Sequence, residues 1–200
     1  MRTIGGRIVG HLLGASLLLA CLVACQPRPR VIYLASFGGV SEARVQLVQR
    51  VIGQFYGLPV RRLPTQRLAA AVQCPVRSRP RAAMVLEQLQ ALLPDSTNGK
   101  IIGLTTQDVE IKNRRQPHWG VMGLANDIGG DACVVSTFRL AGKTNRLRKV
   151  SLHEIGHLMN LPHCTAGTAY CFMNDARGRG AVVDRTQERL CPACRARMEW

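Results

Sequence analysis

Residues 150–164 read VSLHEIGHLMNLPHC, and the organisation of the chain follows from what this stretch must do. His153 and His157 stand four residues apart in an apolar-periodic run. On a helix they share one face, one turn apart, so both imidazoles can reach a single ion at about 2.0–2.1 Å. Glu154 sits beside the first of them and can address a water at that ion without ligating it. An open catalytic site needs a third protein ligand, and His163 is the candidate. Six residues past His157, it would lie too far along a continued helix, so the chain must turn sharply between them. Asn160 suits that turn, because asparagine tolerates the left-handed conformation at a helix C-terminus, and Pro162 prevents continuation. A lone HExxH pentad also fits a surface helix with two solvated histidines. The third histidine, with a helix-stopping pair before it, favours a metal site.

Working upstream, the helix carrying this motif is expected over 143–160. Before it, the stretches 100–106, 119–125 and 132–139 read as strands, separated by polar loops at 107–117 and 126–131. Residues 31–35 form a short apolar run that suits a buried strand. A helix follows, with Ser41 as N-cap, Val45, Val48, Ile52 and Phe55 on its apolar face, and Gly57 and Pro59 ending it. Residues 60–63 suit a second strand and 81–93 a second helix, whereas 64–80 is Arg/Pro-rich without clear periodicity. The order of elements predicts an α/β fold of the mixed α+β kind, a twisted mixed sheet with two or three helices.

Downstream, residues 161–200 are rich in Gly, Cys and Arg, and a last helix is expected over 184–199. Cys164, Cys171, Cys191 and Cys194 crowd around and after the histidine motif, and four such thiols can surround a tetrahedral ion. In an oxidising compartment they can instead form two disulfides. Cys74 and Cys133 stand alone and read as small core residues, with a bridge between them as the alternative.

The run HEIGHLMNLPHC resembles the signature of the metzincin clan of zinc peptidases, and the cysteine after the third histidine resembles the archaemetzincin family in particular. In that family a second cysteine, one residue, a methionine, seventeen residues and CxxC follow. Here Cys171-Phe172-Met173 is followed seventeen residues later by Cys191-Pro192-Ala193-Cys194. The likeness extends upstream through residues 134–140. Two departures stand out: Asn160 replaces the usual glycine of the turn, and six residues separate Cys164 from Cys171 where four are usual. The resemblance implies a zincin fold and a zinc metallopeptidase with His153, His157 and His163 on a catalytic zinc and Glu154 as general base. It further implies Cys164, Cys171, Cys191 and Cys194 on a structural zinc, and Met173 in the Met-turn, an apolar floor under the histidines. A peptide or protein substrate would lie antiparallel to an edge strand, for which 119–125 is the candidate.

At the N-terminus, Arg2 and Arg7 precede an apolar run over 8–24, the layout of an export signal. The run is too short and too broken for a confident membrane span, which needs about 20 apolar residues. Leu22-Val23-Ala24-Cys25 resembles a bacterial lipobox with Cys25 acylated, and Leu18-Leu19-Ala20-Cys21 is a second candidate; an ordinary cleaved signal or an uncleaved anchor is the alternative. The expectation is therefore a lipoprotein-type signal over 1–25 and a single metallopeptidase domain over 26–200, divided into subdomains 26–160 and 161–200. The mature protein would be exported to a bacterial cell envelope, lipid-anchored to a membrane and monomeric. Net charge is +15, but the basic residues are spread along the chain and aromatics make up 4% of it, so no nucleic-acid partner is expected. Two other functions fit the same residues, a non-catalytic zinc-binding envelope lipoprotein and an aminopeptidase of restricted specificity. The intact Glu154 argues against the first, since a pure binding site needs only the histidines.

Overall fold

A computed structural model describes residues 31–74, 78–94, 98–112 and 116–198. The signal and the lipidation candidates Cys21 and Cys25 lie outside the described residues. Among those described, no helix is long and apolar enough to cross a membrane.

Strand β1 (Val31–Ser36) is buried along its whole length, because both of its neighbours are strands and both faces of the sheet are covered. The sheet has five strands in the order β2-β1-β3-β7-β6, with β2 at Val60–Arg62, β3 at Gly99–Thr105, β6 at Gly123–Ala125 and β7 at Ala132–Ser136. The pairs among β2, β1, β3 and β7 are parallel, and β6 is an antiparallel edge. Side chains alternate between two apolar layers. Ile32, Leu34, Ile102, Leu104, Cys133 and Val135 face helices α1 (Glu42–Tyr56) and α3 (Thr144–Leu158). Tyr33, Ala35, Ile101 and Val134 face α2 (Ala82–Gln90). Gly103 lets α2 approach, since a Cβ there would lie 2.7 Å from the Leu89 side chain.

Helix α1 begins after Ser41, whose side chain makes no capping bond, and ends at Gly57 in the left-handed region with φ 65°. Its buried Tyr56 hydroxyl donates to the Leu152 carbonyl at 2.6 Å, which ties α1 to the motif helix.

Several expected elements differ. The stretch 119–125 is two short strands. β5 (Trp119–Gly120) pairs antiparallel with β4 (Glu110–Ile111) in a separate sheet, while β6 joins the main one. Strand β4 lies inside what reads as a polar loop; two residues are too few to show periodicity. β7 ends at Ser136, and a 3-10 turn spans Phe138–Leu140. The expected last helix is instead α4 (Gly180–Arg185) and α5 (Pro192–Arg197). Pro192 explains the break, as it is accepted at the first turn of a helix and not in its interior. Between them the chain is tied to 170–172, with Gln187 N–H donating to Tyr170 O at 2.7 Å and Phe172 N–H to Arg189 O at 3.3 Å. Cys74 and Cys133 are both buried free thiols, so the alternative of a bridge between them is not realised.

Candidate active site

Helix α3 places His153 and His157 on one face, with their Nε2 atoms 3.0 Å apart. Past Leu158 the chain closes the helix as a Schellman motif. Asn160 takes φ 65°, its N–H donates to His157 O at 3.0 Å, and Leu161 N–H reaches back to Gly156 O at 2.9 Å. The turn expected at Asn160 is therefore present, and it carries His163 back over the helix. The ring centroid of His163 lies 5.3 Å from that of His153 and 4.8 Å from that of His157.

The two helical rings are oriented through their other nitrogens. His153 Nδ1 lies 2.7 Å from the Phe172 carbonyl, and His157 Nδ1 lies 2.8 Å from the Leu161 carbonyl. A carbonyl only accepts, so each Nδ1 carries the proton and each Nε2 lone pair faces the common centre. Burial, then the neighbouring His157, pushes His153 down to about 3, against the opposing Phe172 carbonyl. Burial likewise lowers His157. Neutral imidazoles with convergent lone pairs are what a zinc ion takes, and one ligand atom from each histidine lies within 4.8 Å of the others.

Glu154 is buried in the wall of the same cleft, beside the edge strand β6. Burial pushes its carboxyl up to about 8, against a hydrogen bond from the Ala125 backbone. Gly123 makes room for it, because a Cβ there would collide with the carboxylate. The cleft has a volume of about 440 Å³ and is lined by the apolar Ile111, Trp119 and Val121 together with the three histidines and Glu154. The outer edge of β6 pairs with no strand among the described residues.

Met173 is fully buried, with its sulfur against Gly156, the residue immediately before His157. A Cβ at residue 156 would lie 2.5 Å from that sulfur, so the glycine of the motif and the methionine fit as a pair. Asp175, two residues on, also lines the cleft and had no spacing to betray it. Burial acts to raise its carboxyl, but the Arg177 amide at 2.8 Å and the Arg177 guanidinium help hold Asp175 below its usual value.

The four C-terminal cysteines converge. Cys164, Cys171, Cys191 and Cys194 bring their sulfurs within 4.8 Å of one another, as free thiols. Cys164 and Cys191 are 3.6 Å apart, close to the roughly 3.8 Å between ligands of a tetrahedral zinc with 2.3 Å bonds and far from a disulfide bond of about 2 Å. Backbone amides reinforce them, since Cys191 N–H and Cys194 N–H point at the sulfurs of Cys171 and Cys191, each at 3.5 Å. Burial acts to raise the Cys191 thiol, yet the Cys194 amide and neighbouring side chains bring it down to about 6.

A mixed sheet, a histidine-bearing helix closed by a left-handed turn, and a third imidazole returned by that turn define a zinc-dependent metallopeptidase of the metzincin kind. The chain belongs to peptidase family M54, whose model matches residues 48–200. The archaemetzincin of Halobacterium salinarum is 33% identical over 143 residues, covering 64% of this chain and 76% of that relative. The archaemetzincin of Archaeoglobus fulgidus is 30% identical over 104 residues, 50% of this chain and 59% of the relative. Among solved structures, archaemetzincin from Archaeoglobus fulgidus superposes with a TM-score of 0.70 at 24% identity, covering 84% of this chain and 99% of that one. A zinc-dependent peptidase from Methanocorpusculum labreanum gives 0.68 at 25% identity, covering 84% and 100%.

Proposed function

We propose that this metallopeptidase cleaves peptides laid antiparallel along β6, with His153, His157 and His163 holding the catalytic zinc and Glu154 as general base. The observation that carries the reading is the placement of Glu154, a buried carboxyl beside β6 that lines the same open cleft as His153, His157 and His163. Zinc, when bound at such a site, supplies Lewis acidity for the water and the scissile carbonyl. The protein's own groups do the rest. A cation held by the three histidines would favour the ionised form of Glu154 over the protonated form that burial favours in its absence. The carboxylate then takes the proton of the attacking water and passes it to the departing amine nitrogen. The Ala125 amide fixes the orientation of that carboxylate. The free edge of β6 offers backbone groups to the peptide, while Ile111, Trp119 and Val121 receive an apolar side chain.

Cys164, Cys171, Cys191 and Cys194 form a structural zinc site that fastens α5 to the catalytic turn. The lipobox-like Leu22-Val23-Ala24-Cys25 supports an exported lipoprotein acylated at Cys25 and acting in the cell envelope as a monomer; the intact mass of the mature chain tests this.

Glu154→Gln tests the catalytic assignment. The variant keeps the shape of the side chain but cannot take up the proton. Zinc content should stay at the wild-type value while turnover of a mixed peptide library falls by roughly 10²–10⁴-fold. Full activity in Glu154→Gln would remove the residue from this role.

A further inference from the structure

Three side chains outside the active site and the cysteine cluster meet at one point. Cys74 follows the 3-10 turn at Ala70–Val72, Glu110 opens β4, and His118 immediately precedes β5. One ligand atom from each lies within 4.8 Å of the other two. His118 Nδ1 is 2.9 Å from Glu110 Oε1 and 3.9 Å from Cys74 Sγ. The second oxygen of Glu110, Oε2, is buried without a hydrogen-bond partner. Arg79, the guanidinium whose charge reaches Glu110, is already paired with Asp108 at 3.1 Å.

The arrangement does not suit a thiol-imidazole-carboxylate relay. Such a relay uses opposite ring nitrogens, one for the thiol and one for the carboxylate. Here both face Nδ1, so sulfur, nitrogen and oxygen point at a shared centre. Around a tetrahedral zinc, sulfur and nitrogen ligands would be about 3.5 Å apart, and nitrogen and oxygen about 3.3 Å. Small opposing shifts of the observed 3.9 Å and 2.9 Å reach both values.

Backbone hydrogen bonds join the segments that carry the three side chains. Cys74 N–H donates to Arg79 O at 2.7 Å, and Glu110 N–H donates to Pro80 O at 2.9 Å, which binds the Cys74 turn to β4. β4 pairs with β5 through Glu110 opposite Gly120 and Ile111 opposite Trp119. Cys74 is 2% and Glu110 3% exposed, whereas the His118 side chain is 23% exposed, so the cluster opens to solvent at His118.

We propose that Cys74, Glu110 and His118 form a further metal site for a zinc-type divalent ion, with its open coordination position on the His118 side. A thiolate, an imidazole and a carboxylate are a donor set for borderline ions and not for calcium or magnesium. Side chains alternate along a strand, so Ile111 and Trp119 in the cleft wall lie on the opposite face of the small sheet. The ion would brace that wall from behind.

The test is zinc per chain by elemental mass spectrometry on full-length protein, saturated with zinc and freed of excess by gel filtration. The quantity read is the difference between wild type and variant, so it stands apart from how many ions the histidine and cysteine clusters hold. His118→Ala should carry one zinc fewer than wild type, and His118→Cys, which restores a ligand at the exposed position, should regain it. Equal zinc in wild type and His118→Ala, or a loss that His118→Cys shares, overturns the site.

Discussion

Residues 31–158 and residues 159–198 are held together by different means. In the first region, strands buried on both faces carry Ile32, Leu34, Ile101, Ile102, Val134 and Val135 into two apolar layers. In the second, helices α4 and α5 are six residues each, and each has one buried residue. Its surface ion pairs, such as Arg146 with Asp184, are of a kind that contributes little. What remains is a handful of apolar side chains set into the main core, Leu161, Phe172, Met173 and Leu190 among them, with backbone hydrogen bonding to 170–172 and the four convergent sulfurs. The three convergent histidines straddle the divide, His153 and His157 on the apolar side and His163 on the other. The placing of His163 therefore depends on a region with no strand-built core of its own, fastened by a few apolar side chains, backbone bonds and the sulfurs.

Breaking the cysteine cluster should separate the two regions most. Cys191→Ser is expected to lose one zinc, to admit proteolytic cuts within 164–198 while 31–158 stays resistant, and to cut turnover by roughly 10–100-fold through loosened support of His163. Mapping the cleavage sites by mass spectrometry checks this. Uniform loss of protection across the chain, or disulfides among Cys164, Cys171, Cys191 and Cys194 in freshly isolated protein, would remove the distinction.

Ile102→Ala probes the other side of the comparison. Ile102 is fully buried between β1 and β7, and truncation should cost about 2–5 kcal/mol of global stability. Zinc content below the melting transition should be unchanged. Chemical denaturation followed by circular dichroism, with metal analysis beside it, gives both numbers.

The contrast also decides what could be read from the sequence. Elements of the apolar region were legible because burial writes periodicity into them: β1, α1, β3 and α3 fall within a few residues of where Val45, Val48, Ile52 and the apolar runs place them. The histidines and cysteines were legible through spacing, since metal ligation constrains residue type and interval together. The remainder was set by tertiary contact. β4 and β5 are two residues each, the chain between α4 and α5 is held by backbone bonds that any residue can make, and Cys74, Glu110 and His118 meet only after folding. Isolated in the sequence, Cys74 read as a core residue.

The burial of Glu154 has a measurable consequence in metal-free protein. Its carboxyl titrates near 4.5 when unfolded and about 8 when folded, so between these values the folded state holds the extra proton. Stability from this group is complete below about 4.5 and is lost as pH rises through about 8. Glu154→Gln has no such proton to lose. The melting temperature of metal-free Glu154→Gln should therefore gain on metal-free wild type as pH rises across this window, by several degrees at its upper end. A pH-independent gap would show that Glu154 is solvated in the absence of metal.

The smallest expected effect lies at the hinge between the regions. Asn160 holds φ 65°, where a side chain is strained and glycine is not. Asn160→Gly relieves that strain but leaves the unfolded chain freer, and the second effect cancels most of the first. The net gain should be about 0.5 kcal/mol, or roughly 1–2 °C in melting temperature for a domain of this size. Asn160→Val should move the other way by about 1–2 kcal/mol, because a β-branched side chain is least at ease in the left-handed region. It should also cost activity beyond its cost in stability, since the turn that Asn160 makes is what returns His163 to His153 and His157. If Asn160→Val loses stability but keeps full turnover and zinc, the two regions are positioned independently of this turn, and the Met173 packing against Gly156 must hold His163 in place instead.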